Sequence, residues 1–259
     1  MKSTRKLSLS IIGGGNVAFH LANTLWNDDR IEVKQLCNRS GFTFDFEHIT
    51  TSKVTDFSQL ELVDICIIAV KDEAITAVSE RLPFGDTLVV HTSGNTDINA
   101  ISSKNRKGVF YPLQSFSKSV PVDFQNIPIC IEAQNKTDLE KLHILASILT
   151  TKIYEINSFQ RRILHISAVF VNNFTNHLVT LGEEICRENN IPFEILTPLL
   201  METFEKLQKI APFDAQTGPA RRSDIQTIEN HLKLLQGSKK EIYKNITNSI
   251  LDTYGRKKL

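Results

Sequence analysis

The chain has 259 residues, 41% of them hydrophobic and 23% charged, and its 30 Lys+Arg against 29 Asp+Glu give a formal charge of +1. That hydrophobic content excludes a disordered chain, and the balanced charge excludes a protein organised around nucleic acid, where a basic excess is the rule. The length suits one large domain or two modest ones and is ample for a packed core.

The N-terminal stretch to Ser10 is basic, but the apolar segment after it is short and runs into Gly13-Gly14-Gly15. A secretory signal needs an apolar core of about 7–15 residues and a small-residue cleavage site, and neither is found. Leu7–Ile12 reads as a strand, 16–26 has helical spacing, 32–37 reads as a second strand and 54–55 as a short third. The nearly continuous apolar run 64–70 suits a parallel strand covered on both faces. A helix is expected over 72–81 with Asp72 as its cap, and a strand over 87–91. Ile127–Ile131 is a further strand. Thr137-Asp138-Leu139-Glu140 reads as a capping box opening a helix to about Leu149, followed by a last strand over 152–156. Cys37, Cys66 and Cys130 sit in these apolar runs, so the four cysteines are expected as buried free thiols in a reducing cytoplasm.

After Asn157 the strand pattern stops. A long helix is expected over 158–190, then helices over 193–210, with Pro198 as a break or offset start, 224–236 and 238–254, the last two closed by Gly237 and Gly255. The expected fold class is therefore α/β, a doubly wound parallel sheet over residues 1–157 followed by an all-α domain over 158–259. Ile163 to Gly182 holds no Asp, Glu, Lys or Arg but does hold His165, Asn172, Asn173, Asn176 and His177. That polar load is costly in lipid, so a soluble helix buried on most sides is expected, and no membrane.

The strongest motif is Gly13-Gly14-Gly15-Asn16-Val17-Ala18, which fits G-x-G-x-x-[G/A] between a strand and a helix. The first glycine permits the tight turn, the second lets the backbone approach a pyrophosphate, and Ala18 lets the helix pack close to the sheet. The helix N-terminus then offers free N–H groups to the anion. An NAD site places Asp or Glu about 20 residues further on. This chain has Asn38-Arg39-Ser40. Arg39 can pair with a 2′-phosphate and stack on adenine, with Asn38 and Ser40 hydrogen bonding, so NADP(H) is the expected cofactor. Ligands of such sheets sit at the carboxyl ends of the strands, so Val70 and Lys71, and the stretch His91-Thr92-Ser93-Gly94-Asn95, are expected beside the nicotinamide half. Thr92 is assigned to the cofactor.

These residues resemble the NADP-binding domain of pyrroline-5-carboxylate reductase, prephenate dehydrogenase and the β-hydroxyacid dehydrogenases, through Gly13-x-Gly15-x-x-Ala18, Asn38-Arg39-Ser40 and Ala69-Val70-x-Asp72. A closer resemblance is to a family of candidate NADP oxidoreductases that joins a Rossmann-like domain to a helical C-terminal domain of unknown function. It rests on His91-Thr92-Ser93-Gly94, on Tyr111-Pro112-Leu113-Gln114-Ser115-Phe116, where members often have His at the first position, on the helix from Arg162 through His165 to Asn173, and on Thr217-Gly218-Pro219-Ala220-Arg221-Arg222-Ser223-Asp224. The resemblance implies the fold and the cofactor but no substrate.

At 100° per residue His165 and Asn173 share a broad helical face. Reduction of a carbonyl or imine needs a proton donor, and His suits that task. The β-hydroxyacid dehydrogenases carry a Lys on the corresponding helix, and this helix has none. The expected catalytic set is therefore His165, with Asn173 orienting a small polar substrate and Tyr111 or Ser93 as alternates. Arg221 and Arg222 could bind a substrate anion, while Asp224 reads as a helix cap. No metal-ligand spacing occurs, and a homodimer through the helical domain is expected. The competing function is a non-catalytic NADP(H) sensor.

Overall fold

The computed structural model describes residues 5–259. Eight strands, β1 (Leu7–Ile12), β2 (Ile31–Cys37), β3 (Ser52–Val54), β4 (Ile65–Ile68), β5 (Leu88–His91), β6 (Arg106–Pro112), β7 (Ile129–Ala133) and β8 (Ile153–Glu155), form one sheet in the order β3-β2-β1-β4-β5-β6-β7-β8. All neighbours are parallel except β6 and β7. The chain winds outward from β1 through β2 to β3, then crosses back so that β4 lies on the other side of β1. A crevice opens at such a switch point because the loops after the two central strands leave in opposite directions.

The strands explain themselves by burial. Leu9, Ile11, Ile65, Ile67, Leu88 and Val90 face one core layer with Leu21, Leu25 and Leu142, while Ile12, Cys66, Ile68 and Val89 face the other. Full burial of each such side chain contributes about 1.5–3 kcal/mol. The helices α1 (Asn16–Leu25), α2 (Ile75–Glu80) and α3 (Lys136–Leu149) follow β1, β4 and β7.

Several local expectations shift. Asp72 does not cap α2: it lies inside a 3₁₀ turn, Asp72–Ala74, that precedes the helix. The cap of α3 is Asn135, whose side chain accepts from Asp138 N–H, so the helix starts ahead of the expected box at Thr137. Strand β6 has no counterpart in the sequence pattern. It starts on Arg106, Lys107 and Gly108 and ends on Pro112, and its apolar middle is too short to declare itself, but pairing with β5 and β7 makes it a strand.

Contacts divide the chain at Val169/Phe170, one helix beyond the compositional break at 157. The helix α4 (Ser158–Ala168) closes the first unit. In the second unit a π-helical segment, Val169–Phe174 by its own bounds, leads into α5 (Thr175–Glu188), followed by α6 (Thr197–Leu207), α7 (Pro212–Ala215), α8 (Pro219–Arg222), α9 (Ile225–Leu234) and α10 (Gly237–Thr253). Pro198 sits in the first turn of α6, as an offset start requires, and Asp224 caps α9. Gly237 opens α10 rather than following α9. The stretch 163–182 is not buried on most sides: Phe170 is 63% and Val171 72% exposed.

Candidate functional site

A cleft of about 970 Å³ opens at the carboxyl ends of β1, β2 and β4. Gly13, Gly14, Gly15, Asn16, Val17, Asn38, Arg39, Ser40, Val70, Lys71 and Thr92 all line it, and Ala18 lies buried beneath. The glycines have different physical duties. Gly13 has φ +136°, and a Cβ there would lie 2.1 Å from Ala69 O, so the turn and the neighbouring strand both demand glycine. A Cβ on Gly14 would lie 2.4 Å from Asn38 Nδ2. Gly15 has an ordinary φ of −81°, and a Cβ on it would meet nothing within 4 Å. Its bareness is therefore not demanded by the fold; it leaves the mouth of α1 open for an anion on the free N–H groups.

Asn38 is committed locally, its Nδ2 donating to Gly41 O, so its amide braces the turn that carries Arg39. Three cations, Arg39, Lys71 and Arg81, line the cleft against one carboxylate, Glu73. Asn16 Nδ2 donates to Phe116 O at 2.7 Å, and His20 Nε2 bonds Ser117 O at 2.9 Å. These bonds draw the segment after β6 onto α1 and bring Gln114 and Phe116 into the cleft wall.

From Thr92 in that wall the chain passes directly to a second cluster. Tyr111 Oη lies 3.3 Å from His165 Nδ1. A Cβ on Gly94 would lie 2.7 Å from His165 Nδ1 and 2.7 Å from Tyr111 Cζ, so only glycine lets the 92–96 loop pass over the pair. Burial pushes the Tyr111 phenol up to about 12, so it stays protonated through the neutral range. Of the two, His165 is the more accessible.

Arg161 fixes this loop. It is 1% exposed, and its Nε donates to Ser93 O at 3.1 Å and its Nη2 to Thr96 O. Its Nη1 pairs with Glu132 Oε2 at 2.5 Å, and Ser158 Oγ donates to the same carboxylate at 2.8 Å. Ser93 Oγ accepts from Asn95 and Thr96 N–H at 3.1 and 2.9 Å, which shapes the turn. His91 is wholly buried; Nδ1 accepts from Ser93 N–H at 3.2 Å, and Nε2 has no hydrogen-bond partner. Burial, with the Arg161 charge adding to it, pushes the His91 imidazole down to about 4, so it is neutral.

Arg161, Arg81 and Phe57 belong to no sequence motif, and Gln114, though part of the Tyr111–Phe116 stretch, carries no role in the sequence reading; Arg81, Phe57 and Gln114 line the cleft. The buried guanidinium of Arg161 follows a capping box at Asn157 and Gln160, a local signal for the helix start but not for the role. Asn173 belongs to the second unit and lies in the π-helical segment. That wider turn interrupts the 100° count on which a shared face with His165 was expected. Arg221 lies with its Cζ 4.0 Å from the Tyr254 ring centroid, and Ser223 adopts the left-handed conformation at φ 59° between α8 and α9.

The profile of a domain of unknown function, DUF2520, matches residues 127–250. A crystal structure of a candidate NADP oxidoreductase from Bacteroides fragilis is 33% identical, with a TM-score of 0.84 over 97% of this chain and 99% of that one. The chain belongs to this NADP oxidoreductase family. A protein from Thermotoga maritima, 20% identical, aligns with a TM-score of 0.72 over 95% of this chain and 98% of its own. Pyrroline carboxylate reductase from Plasmodium falciparum, solved with NADP bound, is 15% identical and shares the fold at a TM-score of 0.61, over 96% of this chain and 97% of its own. Comparison with curated proteins gives no match.

Proposed function

We propose that this protein is an NADP(H)-dependent oxidoreductase that reduces, or forms by oxidation, a C=O or C=N bond in a small polar metabolite. The observation that carries this reading is the continuity of one loop: Thr92 lines the glycine-rich cleft, and Gly94, two residues on, touches the Tyr111–His165 pair. A nucleotide cleft alone would equally suit a sensor; an acid–base pair one loop away favours an enzyme.

The residues fit the cofactor. Gly15 and the mouth of α1 would receive the pyrophosphate, and Arg39 and Ser40 the 2′-phosphate. Bound NADPH supplies a hydride. His165 donates the proton to the oxygen or nitrogen that receives the electron pair of the reduced double bond. Tyr111 holds the imidazole through Nδ1, which leaves Nε2 as the proton-carrying atom.

The second unit supports a homodimer. Its side chains include few buried apolar ones, Cys186, Ala220, Ile228 and Leu251, whereas Phe170, Val171, Phe174, Leu199 and Phe204 are exposed. Apolar surface of that extent calls for a cover, and a second copy of this chain is the proposed one; sedimentation at micromolar concentration tests it. Four buried free thiols support a reducing compartment. No helix among the described residues is long and apolar enough to cross a membrane.

Calorimetric titration with NADPH and NADH, on the native chain and Arg39→Ala, tests the cofactor. NADPH should bind at least about tenfold more tightly, and the variant should lose most of that gap. A screen of carbonyls and imines by NADPH oxidation tests the chemistry. His165→Ala should then abolish turnover and leave NADPH binding intact; full activity in that variant would refute the assignment.

A further inference from the structure

The cofactor reading leaves one cation in the cleft without a role. Arg81 closes α2, and its Cζ stands 4.9 Å from the centroid of the Phe57 ring, which follows β3. The sheet order β3-β2-β1-β4 gives this contact its meaning. Helix α2 follows β4, on one side of β1, and Phe57 follows β3, on the other, so the contact joins two segments that both border the cleft. Ala77, Val78, Phe57 and Arg81 line the same cleft as Arg39 and Ser40.

Arg81 takes part in none of the ion pairs among the described residues, and neither does Arg39. The Asp56 carboxylate feels the Arg81 charge but is engaged by Ser58 N–H at 3.0 Å as the cap of the turn holding Phe57. An arginine laid on an aromatic face keeps its planar fork of donors while losing much of its rotamer freedom. It therefore gives up little further entropy when it meets an anion.

We propose that Arg81, held on Phe57, is a second specificity determinant for the 2′-phosphate of NADP(H), acting with Arg39; this rests on the cofactor reading above. Ala77 and Val78 supply the apolar wall for the adenine, and the two arginines supply the charge. NADH offers nothing that needs the second guanidinium.

The test is calorimetric titration with NADPH, NADH and 2′,5′-ADP, which carries the adenine end alone, on the native chain and on Arg81→Gln, Arg81→Lys and Phe57→Leu. Arg81→Gln should weaken NADPH and 2′,5′-ADP by about tenfold or more, the scale of a charged hydrogen bond, and leave NADH nearly unchanged. Arg81→Lys should restore part of the lost preference. Phe57→Leu keeps the charge but removes the ring, and should fall between. Equal weakening of NADPH and NADH by Arg81→Gln would make Arg81 a stacking surface and overturn the proposal. So would unchanged NADPH affinity. If Arg81→Gln has no effect but Arg39→Ala removes the preference, the cofactor reading stands and the Arg81 proposal alone falls. If the native chain binds neither dinucleotide, both fall.

Discussion

Arg161 and His165 stand one turn apart on α4 and act on the same loop. The Arg161 guanidinium holds the Ser93 and Thr96 carbonyls, and His165 Nδ1 occupies the space that a side chain on residue 94 would need. One helix face thus both anchors the loop and presents the imidazole beneath it, so the position of the Tyr111–His165 pair is tied to a buried ion pair and to the absence of one Cβ.

Gly94→Ala should separate that pair from the nucleotide site. The new methyl must displace His165 or Tyr111, each 2.7 Å away, and overpacking of this kind costs about 1–3 kcal/mol. NADPH affinity, read by calorimetry, should change little, while turnover of any substrate found in the screen should fall steeply. Undiminished turnover would mean that the pair does no chemistry.

Removing the Arg161 charge should be a stability event. Arg161→Met leaves the Glu132 carboxylate buried without its partner, and breaking a buried pair costs about 3–5 kcal/mol. Urea denaturation should show that loss, and the double variant with Glu132→Gln should recover part of it. A double variant no better than the single would show that Glu132 is solvated in solution.

The glycine-rich turn divides into fold and binding. Gly13→Ala should destabilise the domain, because both its φ and the Ala69 carbonyl oppose a side chain. Gly15→Ala should melt near the native temperature, since its φ is ordinary and its surroundings are open, yet it should bind NADPH far more weakly. Paired thermal melts and titrations check this. Equal loss of stability in both variants would remove the distinction.

Acid should weaken the fold through His91. Its imidazole titrates near 4 in the folded chain against about 6.5 when exposed, so the unfolded state binds the proton first as pH falls. The stability this contributes is complete above about pH 6.5 and is lost on the way to pH 4, a total of about 3 kcal/mol. His91→Asn keeps an acceptor for Ser93 N–H at the Nδ1 position but cannot titrate. Its melting temperature should be flatter across that window than that of the native chain; parallel curves would acquit His91.

Local pattern was enough to gather the residues that line the cleft. The glycine-rich turn, Asn38-Arg39-Ser40, Val70-Lys71 and Thr92 all follow strands whose apolar runs are visible in the chain, and a parallel sheet collects the loops after its strands at one edge. Capping was less legible. Asn135 and Thr137 are both acceptable caps by residue type, and the choice fell to Asn135, whose side chain reaches the Asp138 N–H.

By itself, then, the sequence determined a doubly wound sheet, a glycine-rich turn at its first crossing and a cation where an NAD site has an acid. Those features reside in neighbours a few residues apart, where periodicity and turn chemistry act. Only the tertiary structure decided that β6 exists, that Tyr111 meets His165 across 54 residues of chain, that Arg161 is buried on Glu132, and that Arg81 rests on Phe57. Each of these pairs residues on separate elements, brought together by the order and crossing of the strands, and no local pattern carries that order.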